Sequence, residues 1–351
     1  MRVLVTGGAG FVGAHLALSF RDAGCEVSVL DNLHRRGAEL NLPLLRAAGV
    51  EFVHGDIRCP DDLAALGRYD WLIEASAEPS VHAGVGGSPA YCLHTNLVGT
   101  LNCLEYARRS VGGLVFLSTS RVYSIAPLRE LALAEAETRF ELSPEQRLPG
   151  VSPSGISESF PVGLPRSFYG ASKLAAEMLV QEYAEAYGLR TIIDRCGVIA
   201  GPGQFGKVDQ GVFTLWVARH LFGGGLSYTG FGGEGKQVRD LLHPADLFAL
   251  LLKQMNGDRF GAGAIYNVGG GPEHSVSLLE YTQLCQEVCA REVEVARRPE
   301  TSPVDIPCYV SDARRVTAEY DWRPLRSPRV IVGEIRDWAL ANEAALRPIL
   351  G

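Results

Sequence analysis

The chain has 351 residues, 46% apolar and 21% charged, the balance of a soluble globular protein long enough to bury a sizeable core. A formal net charge of −7 argues against a nucleic-acid partner, and no apolar stretch approaches the roughly eighteen residues of a membrane span. Eight scattered cysteines without a CxxC pair read as reduced thiols rather than disulfides, and nothing in the pattern suggests a metal site.

An apolar run, Val3-Leu-Val5, opens the chain and reads as a strand buried on both faces. It leaves no room for a signal peptide, so a cytoplasmic location is expected. Gly7, Gly10 and Gly13 follow, then apolar residues at helical spacing (Phe11, Leu16, Leu18, Phe20). Strand, glycine turn and helix are the context of a dinucleotide-binding motif: a tight turn, close approach of backbone to a pyrophosphate, and close packing of helix on strand. The helix N-terminus adds free N–H groups and a partial positive charge. A second apolar strand, Glu26–Leu30, ends in Asp31, where an acid can bind the adenosine ribose and repel a 2′-phosphate. NAD is therefore expected over NADP, although Arg35 and Arg36 lie close by.

Further strands are expected at Val50–Val53, Trp71–Ile73, Leu114–Leu117 and Thr191–Ile193, with a helix over Thr95–Arg109. This alternation predicts a doubly wound parallel α/β sheet of the Rossmann type. Gly55-Asp56-Ile57 is placed to line an adenine pocket, and Ala75-Ser-Ala77 to lie against a flat cofactor. Leu114–Leu117 runs into Ser118-Thr-Ser-Arg-Val-Tyr123, hydroxyls at the carboxyl end of a strand where ligands sit. The proline-rich segment 124–167 reads as an insertion covering part of the site. Phe168 then opens a long helix to about Tyr187, on which Tyr169 and Lys173 are four apart and share a face. A tyrosine acting as a base at pH 7 needs its pKa lowered by about 3 units, and a neighbouring ammonium acts in that direction.

Beyond Gly201-Pro202 polar loops at Lys207–Gly211, Gly235–Asp240 and His243 suggest a substrate-binding portion, followed by a strand at Ala264–Val268 and helices around Ser277–Ala290 and Ile331–Ala345. The expected division is a cofactor-binding unit over 1–198, with returning elements near 241–268, and a smaller C-terminal α/β substrate-binding unit over 199–240 and 269–351.

Together, the glycine turn, Asp31, Asp56, Asn96 before Gly99-Thr100, the Ser-Thr strand end, Tyr169 with Lys173, Arg239-Asp240, His243 and Asn267-Val-Gly269 resemble the extended short-chain dehydrogenase/reductases of the NAD-dependent nucleotide-sugar epimerase and dehydratase type. Within it, Asp31-Asn-Leu, Arg36-Gly-Ala, Phe52–Arg58, Asp209-Gln-Gly and Gly235–Asp240 resemble the CDP-paratose (CDP-tyvelose) 2-epimerases. The resemblance implies an epimerase that transiently oxidises a nucleotide-activated sugar; 4-epimerase, dehydratase and decarboxylase are the alternatives, and a non-catalytic NAD sensor or scaffold the alternative of another class. It assigns Thr119, Tyr169 and Lys173 to catalysis, with Thr119 bonding the reacting sugar oxygen and Lys173 binding the nicotinamide ribose. Gly7, Gly10, Phe11, Val12, Gly13, Asp31, Asn32, Asp56, Ile57, Ala75, Ser76, Ala77, Asn96, Tyr169 and Lys173 would hold NAD, and Ser120, Arg121, Gln210, Gln237 and Arg239 the substrate. It also implies a homodimer through the helices Leu97–Arg109 and Lys173–Tyr187, with Leu101, Leu104, Leu174, Met178 and Leu179 as apolar candidates. Ser124 stands where a glycine is usual, Ser120-Arg121 where dehydratases carry Asp-Glu, Cys196-Gly197 where 2-epimerases tend to have histidine and serine, and Ser302 and Pro307 where arginines are expected.

Overall fold

The structure, a computed structural model, describes residues 1–205 and 211–350. Its centre is a seven-stranded parallel sheet of β1 (Arg2–Thr6), β2 (Glu26–Asp31), β3 (Glu51–His54), β4 (Tyr69–Glu74), β5 (Val111–Thr119), β6 (Arg190–Cys196) and β7 (Ile265–Val268), in the order β7-β6-β5-β4-β1-β2-β3. The winding reverses between β1 and β4, and a ligand cleft is expected at the carboxyl ends there. Strands of such a sheet are apolar on both faces because helices cover both. Val3, Val5, Val27, Val29 and Ile73 pack beneath α1 (Phe11–Asp22) and the helix Pro244–Met255. Leu4, Leu72, Leu114 and Phe116 pack on the other face, beneath α2 (Gly99–Ser110) and α3 (Phe168–Tyr187).

A smaller sheet lies beside it: Val198–Ile199, Val238–Leu242 and Ser275–Ser277 pair in that order, and Cys308–Tyr309 joins Val238–Leu242. The helices Val212–Phe222, Leu278–Cys289 and Pro328–Ala341 close over a third core around Phe213, Trp216, Tyr281, Ile331 and Ile335. Among the described residues no helix is long and apolar enough to cross a membrane.

Three expectations need correction. The helix Arg314–Tyr320 and Trp322 pack with the large sheet, not with the C-terminal unit, because Val316 and Trp322 find their apolar partners beside β7. Ahead of α2 the helix runs from Ala90 through a π turn at His94–Val98 rather than starting at Thr95. The segment 124–167 folds into a short helix (Ile125–Arg129) and two small hairpins. Its Leu128, Leu131, Ile156 and Phe160 pack on Tyr123, Ile306 and Tyr309 behind the cleft wall, and none of its residues lines the cleft. The apolar residues of the two helices lie on more than one face: Leu104, Leu174 and Leu179 pack inward, and Leu101 and Met178 stand exposed.

Candidate active site

A continuous cleft of about 1020 Å³ runs along the carboxyl ends of the strands, between the large sheet and the smaller one. That is at the upper end of the roughly 300–1,000 Å³ of single-ligand pockets, room for a cofactor with a substrate beside it.

One half is the glycine turn. A Cβ at Gly13 would fall 2.2 Å from the Gly7 carbonyl oxygen, and one at Gly7, where φ is +66°, 2.9 Å from the Ala75 carbonyl oxygen. The turn therefore packs against the end of β4 with no space for side chains. Gly10 is the N-cap of α1 with no side-chain cap and no acid in the first turn, which leaves the helix N–H groups free for an anion. Asp31 ties the turn down: its carboxylate accepts Ala9 N–H at 3.0 Å and Leu33 N–H at 2.8 Å. Asn32 donates to Asp56 at 2.9 Å, and Arg58 beside Asp56 holds that carboxyl well below the usual carboxylate range. The Tyr91 ring closes this end, with the Arg58 guanidinium 4.9 Å from its centroid and the His34 ring at 4.7 Å. Gly7, Gly10, Phe11, Val12, Gly13, Asp31, Asn32, Asp56, Ile57, Ala75, Ser76 and Ala77 all line the cleft. An uncapped helix N-terminus, a cradle that any Cβ would fill and a carboxylate at the β2 end fit a dinucleotide.

The middle of the cleft is formed by Thr119, Ser120 and Arg121 at the end of β5, by Tyr169 on the first turn of α3, and by Cys196 and Gly197 at the end of β6. Ser167 caps α3 by accepting Gly170 N–H at 3.1 Å. A Cβ on Gly170 would lie 2.1 Å from the Arg121 carbonyl oxygen, so only glycine lets the helix seat Tyr169 beside Thr119. Burial pushes the Tyr169 phenol up to about 12, while the Thr119 hydroxyl and the Arg121 charge pull it down. Arg121 itself is lowered to about 10 by burial and by Arg239. Ser124 lies behind this wall, its hydroxyl accepting Leu164 N–H at 2.9 Å and closing the ends of the insertion.

Two expected site residues lie elsewhere. Asn96 is fully buried: the π turn points it inward, where it accepts Glu78 N–H at 2.8 Å and donates to the Glu78 carbonyl at 3.0 Å and to Ser172 at 3.1 Å. It thus braces the Glu78–His82 wall of the cleft rather than lining it. Lys173 is 1% exposed and does not line the cleft; its ammonium faces Glu74. Gln210 lies outside the described residues.

The far end is built by the smaller sheet. Gln237 donates to the Thr229 carbonyl at 2.7 Å, and its buried Oε1 has no partner, an acceptor left for a ligand. Arg239 is steered by Asp305 at 3.1 Å and by the Ile306 carbonyl at 2.8 Å. Phe213, Trp216, Leu278 and Arg298 complete the wall, with Ser302 on it as well. Sequence reading had missed Arg298; parallel pairing of Thr229 with Arg298 brings it there, a contact without local signal.

Residues 3–269 match the model of the NAD dependent epimerase/dehydratase family. The chain belongs to this family. CDP-paratose 2-epimerase of Salmonella typhi is 33% identical over 348 residues, 96% of this chain and 99% of that one. UDP-glucose 4-epimerase of Yersinia pestis is 28% identical over 97% of this chain and 98% of its own length. Among solved structures, UDP-glucose 4-epimerase of Thermus thermophilus in complex with NAD superposes with a TM-score of 0.75 at 29% identity, covering 96% of this chain and 99% of that one. The cofactor of this epimerase/dehydratase family is NAD, which the glycine turn and the acid at the end of β2 fit.

Proposed function

We propose that the protein is an NAD-dependent epimerase of a nucleotide-activated sugar, of the kind that inverts C2 of CDP-paratose. The observation that carries this reading is the seating of Tyr169 and Thr119 at the junction of the two halves of one cleft, a dinucleotide cradle on one side and Gln237, Arg239 and Arg298 on the other. The nucleotide would lie over Phe213 and Trp216, with its diphosphate toward Arg239 and Arg298. Thr119 would hold the reacting hydroxyl, and Tyr169 would take its proton and later return it. Bound NAD supplies a reversible acceptor for the hydride of that carbon. Ser120 and Arg121, in place of an acid pair, offer no group to expel a water, so the walls favour reorientation of the flat keto sugar over elimination. A homodimer through α2 and α3 belongs to the same reading.

The test uses a CDP-activated deoxy sugar deuterated at the inverted carbon. The enzyme should turn over without added cofactor, and the product should retain the label, because the hydride never leaves the site. Tyr169→Phe should lower turnover by about two or more powers of ten, as expected for loss of a general base. Label washed into water would point to proton abstraction beside a carbonyl and refute the assignment.

A further inference from the structure

Beneath the cleft floor Lys173 meets an acid, Glu74, that the reaction above does not use. Glu74 ends β4, and the sheet register sets it opposite Thr6 of β1 and Phe116 of β5, so these side chains rise on the same face. Lys173 of α3 descends onto that row. Its Nζ lies 3.8 Å from a Glu74 carboxylate oxygen and 3.8 Å from the centroid of the Phe116 ring. Both side chains are shut off from solvent, and neither Glu74 oxygen meets a donor in hydrogen-bond geometry.

The surroundings leave these two groups to each other. Glu177, Cys196 and Cys103 also face Lys173. Glu177 is already engaged by Arg195, with contacts at 2.7 and 3.1 Å, and by the Ser118 hydroxyl. Burial keeps the Cys103 and Cys196 thiols protonated. Besides Lys173, the polar groups facing Glu74 are neutral: the Ser76 N–H, the hydroxyls of Thr100 and Thr6, and the protonated Cys103 thiol. Burial drives the amine and the acid each toward its neutral form. The ring face under Nζ favours the ammonium, since only a cation is attracted to it.

We propose that Glu74 is a positioning residue, the counter-ion that keeps Lys173 protonated in a site closed to water and so keeps a positive charge one helical turn behind Tyr169. The proposal rests on the reading of Tyr169 and Lys173 as the catalytic pair. With Glu74 neutral, Lys173 would lose its proton at lower pH, and the site would lose a cation that, beside Arg121, favours tyrosinate.

The test compares the NAD-loaded parent with Glu74→Gln, Lys173→Met and the double variant. If the pair is ionic, each single change leaves a buried partner unbalanced, so each lowers the melting temperature, and the double variant loses less than the sum. Additive losses would overturn the proposal. In the pH profile of turnover, Glu74→Gln should move the basic limb down by about one pH unit or more, and Glu74→Asp, which keeps the charge, should restore most of that shift. A basic limb unmoved in folded Glu74→Gln would also overturn it. Should Glu74→Gln not fold, the double variant decides: melting at or above Lys173→Met supports the pair, and melting below it does not. Loss of deuterium from the inverted carbon would sink the epimerase reading and leave the melting coupling intact, whereas additive melting with the label retained would sink only the ion pair.

Discussion

The Tyr169 phenol is held up to about 12 by burial, and the groups that pull it back are the neighbouring Thr119 hydroxyl and the Arg121 charge. Sequence spacing suggested that Lys173 would supply that charge, because residues four apart share a helix face. The spacing is right, but a helix face says nothing of which strand lies beneath it, and Glu74 on β4 holds the ammonium beneath the cleft floor, one turn behind the phenol. Arg121 is thus the first cation to test at the phenol. Removing it with Arg121→Met should raise the tyrosine pKa further. Because the base must be deprotonated, the acidic limb of kcat/KM should move to higher pH, with the deficit greatest in acid and shrinking as pH rises. The shift should be on the order of one unit, since a nearby charge in a partly desolvated site moves a pKa by about that much. A profile that falls by the same factor at every pH would show that Arg121 acts on binding alone.

At the scale of elements, the site depends on how closely α3 approaches the end of β5. The helix is well specified by sequence: a serine N-cap at Ser167, a long apolar face, and Gly188 in left-handed conformation (φ +65°) to end it. Its approach is set by Gly170, whose missing Cβ lets the Arg121 carbonyl oxygen come within the space a methyl would take. Gly170→Ala should push the first turn of α3 off β5 and part Tyr169 from Thr119. A glycine-to-alanine change inside an ordinary helix stabilises by about 1 kcal/mol; here we expect a lower melting temperature and a loss of turnover larger than tenfold, with retained NAD the sign that the dinucleotide half is intact. Unchanged turnover would mean that the helix yields without moving the phenol. The strand-turn-helix of residues 2–22 was legible because every feature it needs is local. The role of Asn96 was not, since a π turn decides which way it points and no spacing rule announces that turn.

For the whole molecule, legibility fell with the sequence distance between the groups that meet. The large sheet follows from strands alternating with helices, each strand marked by its own apolar run. The smaller sheet joins segments around residues 198, 240, 276 and 308 through strands of two to five residues, too short to carry a period. The oligomeric state lies at the far end of this scale, since it depends on what the finished surface leaves uncovered. Phe168, Ala171, Ala175 and Met178 recur at helical spacing along the outer side of α3, with Phe168 46% and Met178 61% exposed; beside them Val98 and Leu101 stand out from the neighbouring helix. The inner faces of both helices are spent on the core beneath them. Among the described residues the stripe stays largely uncovered, and pairing α2 and α3 with their copies about a twofold axis would bury it as a four-helix bundle. Light scattering should therefore give twice the 37.9 kDa of one chain at micromolar concentration. Met178→Asp, which places a charge at the middle of that seam and touches no residue of the cleft, should shift the mass toward that of the single chain while NAD stays bound. A monomer for the unaltered protein, or a dimer that Met178→Asp leaves intact, would show that the stripe is not the interface.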